Sequence, residues 1–258
     1  MRIATCLALL IIVALPLAAD DTADFLNAVA GRNLATVKAM LAREPALANA
    51  RSPKGDDAVT MALFVNKGEG FTDPAKNEIL QALIAHATLD LFETAALGSV
   101  PQLQAMLADP ASLTSRTSFG WTLLHMAAFG GNAATTELLI QRGATIDVRA
   151  KSKFRNTPLQ TALLTGQYAT AKLLLDHGAD ALVRQSKGFT PMHEAALEGR
   201  ADLVQLLLDH GAEINSVADN GQTPLAEAMR GKHEELVSWM KAKGAVLVAQ
   251  PDGEALKK

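Results

Sequence analysis

Gly188-Phe-Thr-Pro-Met-His193-Glu-Ala-Ala196, continued by Leu203-Val-Gln-Leu-Leu-Leu208-Asp-His-Gly211-Ala212, is the stretch that decides the fold. Thr190 is placed to cap the free amides of a helix, and Pro191 is tolerated in that helix's first turn. Ala195 and Ala196 are small, so a neighbouring helix can approach closely. Gly199 ends the helix. Leu203, Val204, Leu207 and Leu208 then form an i, i+1, i+4, i+5 stripe on a second helix, and Gly211 supplies the left-handed C-terminal position. The polar run from Ala212 to Gly221 reads as a projecting hairpin. A unit of this kind cannot bury its own apolar face, so such units must stack.

The pattern recurs in register. The capping threonines are Thr122, Thr157, Thr190 and Thr223, at spacings of 35, 33 and 33 residues. The second helices end at Gly143, Gly178, Gly211 and Gly244. Self-similarity at this period marks a solenoid. These residues resemble the ankyrin repeat, whose pattern is Gly-x-Thr-Pro-Leu-His-x-Ala-Ala, then a Leu-rich helix, then Gly-Ala. The resemblance is strong over 117–246 and weaker before it. Upstream, Phe25–Gly31 with Thr36–Leu41, Gly55–Leu63 with Asn77–His86, and Leu91–Leu97 with Leu103–Leu107 fit the frame with substitutions. Residues 67–75 read as an insertion, and Thr88-Leu-Asp90 leaves no room for a hairpin. The expected fold is an all-α repeat solenoid of about six ankyrin repeats, helix-turn-helix units with β-hairpin loops. Residues 20–116 form its irregular part, 117–249 its regular part with a polar C-terminal cap, and 250–258 a flexible tail.

The first nineteen residues read differently. Met1-Arg2, an apolar run from Ile3 to Leu17, and Ala18-Ala19 before Asp20-Asp21 follow the order of a secretory signal. The run is about 15 residues, short of the roughly 20 that span a bilayer. Cleavage near Ala19 is expected, with the short basic start suggesting a bacterial export route to the periplasm, or secretion. Cys6, the only cysteine, lies early in this run, where a lipid-modified cysteine would not, and would leave with it. A mature chain without thiols forms no disulfide and has no Cys nucleophile. Loss of Arg2 takes the formal charge from −3 to −4. No run of Lys or Arg suggests nucleic acid or a membrane surface as partner.

No pattern for catalysis is found: no Gly-x-Ser-x-Gly, no His-Glu-x-x-His, no phosphate loop. The six histidines all fall on repeat positions. His125 and His193 follow Thr-Pro-Leu or its equivalent, where the family resemblance implies a bond to backbone in the adjoining turn. His86, His177 and His210 precede or match the terminal glycine, at the negative helix end. His233 follows the inter-helix position. One histidine per repeat does not converge on one ion, so no metal, cofactor or catalytic residue is expected.

The resemblance implies binding through the hairpin tips and the exposed face of the first helices. There the sequence, only 4% aromatic, concentrates Phe119, Trp121, Phe129, Phe154 and Phe189, interleaved with Lys153, Arg155 and Lys187. Aromatic and Arg side chains are common hot spots. The same rings could instead pack between hairpins. Trp239 and Met240 occupy core positions of the last second helix. The expected function is a periplasmic or secreted, non-enzymatic scaffold, monomeric when free and not inserted in the membrane after cleavage, that binds another protein and stabilises, inhibits or neutralises it. The alternative is a general envelope or stress-defence accessory protein without one tight client.

Overall fold

The structure, a computed structural model, describes residues 19–53, 57–64, 77–117 and 120–248. The expected leader up to residue 18, the insertion at 67–75 and the tail at 250–258 lie outside the described residues. Within them, fourteen α-helices form seven consecutive pairs: α1 (Ala19–Ala30) with α2 (Leu34–Arg43), α3 (Ala58–Phe64) with α4 (Glu78–Ile84), α5 (Leu91–Leu97) with α6 (Val100–Met106), α7 (Leu123–Gly130) with α8 (Ala133–Gln141), α9 (Pro158–Leu164) with α10 (Tyr168–Asp176), α11 (Pro191–Leu197) with α12 (Ala201–Asp209), and α13 (Pro224–Arg230) with α14 (Glu234–Ala242). The three upstream units and four regular units paired in the sequence are these seven, one more than the expected total of about six. The split second unit is a full pair, because Asn77 caps α4 through Leu80 N–H (3.1 Å) and its amide reaches back to the Ala62 carbonyl (2.9 Å).

Local caps explain where the first helices start. Thr122, Thr157 and Thr190 sit at N-cap positions with His125, Gln160 and His193 three residues on, each pair forming a reciprocal capping box. Asp90 and Glu93 do the same for α5. The second helices of the four regular repeats end on left-handed glycines, as at Gly211 (φ 84°). At Gly130 the requirement is space: an added Cβ would meet the Ala96 carbonyl oxygen of α5 at 2.2 Å.

The expected β-hairpins are present as turns rather than strands; no strand occurs among the described residues, where pairing is limited to one isolated bridge, Arg51–Asp57. Each regular hairpin has a backbone bond across its ends: Thr117 N–H to Trp121 O, Ala150 to Asn156, Gln185 to Phe189 and Ala218 to Gln222. The second of these spans two more residues than the others, as the 35-residue spacing required. Lateral bonds stitch the tips into a row: Lys151 N–H to Gly120 O (3.0 Å), Ser186 to Phe154 (3.1 Å) and Asp219 to Lys187 (2.9 Å).

The core lies between the helix layers. Leu203, Val204 and Leu207 are fully buried as expected, and Leu206 joins them while Leu208 is only partly covered. Met240 is buried, but Trp239 is half-buried, with Lys243 Nζ 5.3 Å from its ring centroid. The core assignment of Trp239 is corrected: this register is not uniformly buried, since Leu138 and Leu206 are buried there while Leu173 and Trp239 are half-buried, Trp239 packing only on the edge of the core.

Candidate functional site

The hairpin row and the first helices face each other across a cleft of about 830 Å³. Six of the eight residues expected to bind a partner line it: Trp121, Phe129, Lys153, Phe154, Lys187 and Phe189. Phe119 lies outside the described residues. Arg155 is exposed and does not line the cleft. It holds the left-handed position (φ 58°) that Gly120, Gly188 and Gly221 occupy in the other hairpins, its N–H donating to Ser152 Oγ at 3.3 Å.

The aromatic residues divide into two kinds. Phe154 is 52% exposed at the tip of the longest hairpin, with Lys153 Nζ 4.8 Å from its ring centroid. Phe129, expected on the helix surface, is 1% exposed, which corrects that expectation. Trp121 lies across it, with centroids 5.4 Å apart, and also stacks on His125 at 6.2 Å. Phe189 is half-buried against His193 at 5.1 Å. Packing and cleft lining are thus combined in Trp121 and Phe189, because both stand beside the histidine that anchors the next helix.

That anchor is well defined. Thr122 N–H donates to His125 Nδ1 (3.2 Å), so Nε2 carries the proton and donates to the Asn156 carbonyl of the next hairpin (2.9 Å). Burial pushes the His125 imidazole down to about 4, so it is neutral. His193 repeats the arrangement with Thr190 and the Gln222 carbonyl, and burial lowers it too. Three further histidines make repeat-to-repeat contacts: His177 Nε2 lies 2.8 Å from Glu137 Oε2, His210 Nε2 3.3 Å from Asp176 Oδ1, and His233 Nε2 2.7 Å from the Leu197 carbonyl. Among the described residues no cluster of three or more His, Cys, Asp or Glu could hold a metal.

The cleft also contains residues that sequence reasoning passed over, above all Glu194, Glu227 and Arg230. Glu194 and Glu227 are buried. Burial pushes the Glu194 carboxyl up to about 7, although Gln185 Nε2 donates to its Oε1. Glu227 Oε2 accepts from Arg230 (Nε at 3.0 Å). The available signal was register: both acids stand four residues after the capping threonine, where the earlier repeats have Met126 and Thr161.

The profile for ankyrin repeats (3 copies) matches residues 75–185 and 180–250, well over half of the chain. The chain is also similar to the G patch domain and ankyrin repeat-containing protein 1 homolog of Drosophila melanogaster, at 35% identity over 81 residues, 31% of this chain and 24% of that protein. It therefore spans about a quarter of that relative's length.

Proposed function

This chain belongs to the ankyrin-repeat family, and on that premise we propose that it is a non-enzymatic scaffold that captures another protein in the cleft between its hairpin tips and first helices. The observation that carries the reading is the convergence of six residues, chosen for their chemistry, on one cleft. Phe154 is the accessible anchor, since a half-exposed ring on a projecting tip gains most from being covered. Lys153 and Lys187 form its basic rim.

The N-terminal run supports export, so we place the working location in the periplasm, or outside the cell. No helix of the described residues is long and apolar enough to cross a membrane. Affinity capture from envelope extract, with the wild type beside Phe154→Ala, tests the binding reading. One stoichiometric partner recovered with the wild type and lost with the variant is the expected outcome. A partner held equally by both would remove the cleft from consideration. Fusion of residues 1–19 to an export reporter tests the location: retention in the cytoplasm would exclude it.

A further inference from the structure

The cleft is chemically polarised along the stack, and equivalent positions of successive repeats display it. Four residues after the capping threonine stand Met126, Thr161, Glu194 and Glu227, all buried. Seven residues after it stand Phe129, Leu164, Leu197 and Arg230. One end of the cleft is thus Trp121 on Phe129, and the other is a pair of carboxyl groups on the packed helices α11 and α13.

Buried acids are costly unless each oxygen is bonded and each charge paired. Here the pairing is incomplete. Glu194 Oε1 takes a bond from the neutral Gln185 amide. Glu227, 1% exposed, is held by Arg230 through Oε2, while its Oε1 is buried without a hydrogen-bond partner. Asn156, between the two ends, is 6% exposed and has a buried Oδ1 in the same state. Both line the cleft. Two open acceptors and two acids served by one cation ask for a donor-bearing positive charge. The Arg230 side chain is 56% exposed, so it can yield room at the mouth.

Resting on the protein-binding reading above, we infer that the cleft recognises an extended segment of a partner protein, with a basic side chain on the Glu194–Glu227 pair and a bulky apolar side chain on Trp121 and Phe129. Stacked helices stand about 8–10 Å apart, so the two ends are on the order of 20 Å apart. An extended chain advances roughly 3.3 Å per residue, which separates the two side chains by about six residues. A compact organic cation reaches one end but not both. The other charged or titratable groups nearby are Glu198 on α11, Arg230 on α13, Lys151, Lys153 and Lys187 on the rim, and His193, which burial keeps neutral. Because burial raises Glu194 to about 7, a basic side chain binds more tightly as pH rises from 6 to 8.

The test uses the full chain and an acetylated, amidated peptide, Phe-Ala-Ser-Ala-Ser-Ala-Arg-Ala-Ser, beside its citrulline-for-arginine and alanine-for-phenylalanine forms. Calorimetry and Trp121 fluorescence report binding, with circular dichroism checking that every variant folds. The arginine peptide is expected to bind at least tenfold more tightly than either relative. Glu227→Gln and, separately, Glu194→Gln are expected to erase the arginine–citrulline difference while leaving the phenylalanine dependence. Equal binding of the arginine and citrulline forms, or binding of neither, overturns the inference. So does a simple phenethylammonium ion that matches the peptide, or a dimer in sedimentation that Glu227→Gln dissolves. A captured partner lost with Phe154→Ala but indifferent to both Glu variants sinks this inference and leaves the broader reading standing. A partner retained through all three sinks the broader reading.

Discussion

His125 of α7 donates from Nε2 to the carbonyl oxygen of Asn156, 31 residues further on, at 2.9 Å. The same ring accepts the Thr122 N–H at the start of its own helix. One side chain therefore caps a helix and ties it to the next hairpin, and the bond accepted at Nδ1 needs the neutral imidazole.

The first prediction concerns this ring. Its folded pKa, about 4, lies below the ordinary value of 6.5. Between those values the unfolded chain binds more protons, so the ring's contribution is full above pH 6.5 and is lost as pH falls towards 4. His125→Ala should cost about 1–3 kcal/mol at pH 7, the loss of buried hydrogen bonds. Chemical denaturation at several pH values should show the gap from wild type narrowing below pH 6.5. A constant gap down to pH 4.5 would mean the ring is not held neutral.

Phe154 and Trp121 should separate. Phe154→Ala removes a half-exposed ring and should change stability by no more than about 0.5 kcal/mol. Trp121→Ala uncovers Phe129 and His125 and should cost roughly 2–3 kcal/mol. Thermal unfolding of the two variants decides this. Equal, small losses would show that Trp121 serves recognition rather than packing.

Glu93 makes the opposite pH prediction from His125. Its side chain is buried beside the half-buried Asp57, Thr60 Oγ1 lying 3.4 Å from Glu93 Oε1 and 3.1 Å from Asp57 Oδ2. Burial, then the bond to Asp57, raises Glu93 to about 8 from an ordinary 4.5. The folded state holds the extra proton in that window, so stability falls as pH rises from 4.5 to 8. Glu93→Gln keeps an oxygen for the Asp90 N–H but cannot ionise. It should be more stable than wild type at pH 8 by at least about 1 kcal/mol and close to it at pH 5. Unfolding curves at the two pH values measure the difference; parallel curves would refute it.

Gly130→Ala should force α5 and α7 apart, since the new Cβ would meet the Ala96 carbonyl oxygen at 2.2 Å. A cost of about 1–3 kcal/mol is expected for such overpacking. Hydrogen exchange should show the loss of protection concentrated in α5 to α8. Uniform loss along the stack would argue against a local clash.

Much of the fold was legible because the ankyrin signals are local. A capping threonine, a histidine or glutamine three residues later, and a left-handed glycine each act within one turn, so Thr190, His193 and Gly211 could be interpreted alone. The second repeat carries the weakest local signal. Its helices, α3 and α4, are far apart in sequence, and the structure packs them together with Asn77 bonded to the Ala62 carbonyl. Trp239 was misjudged because its slot lies at the margin of the core: Leu206 is buried there but Leu173 is only half-buried.

The candidate site divides along the same line. By itself the sequence determined the repeat register and the gathering of aromatic and basic residues on hairpins and first helices, because spacing and residue type suffice for both. Only the tertiary structure decided that Phe129 is a floor, that Phe154 is the open tip, and that Glu194 and Glu227 are buried, Glu227 with its Oε1 left unbonded. Burial is set by neighbours a full repeat away, and no residue's own neighbours in the chain encode how closely those helices pack.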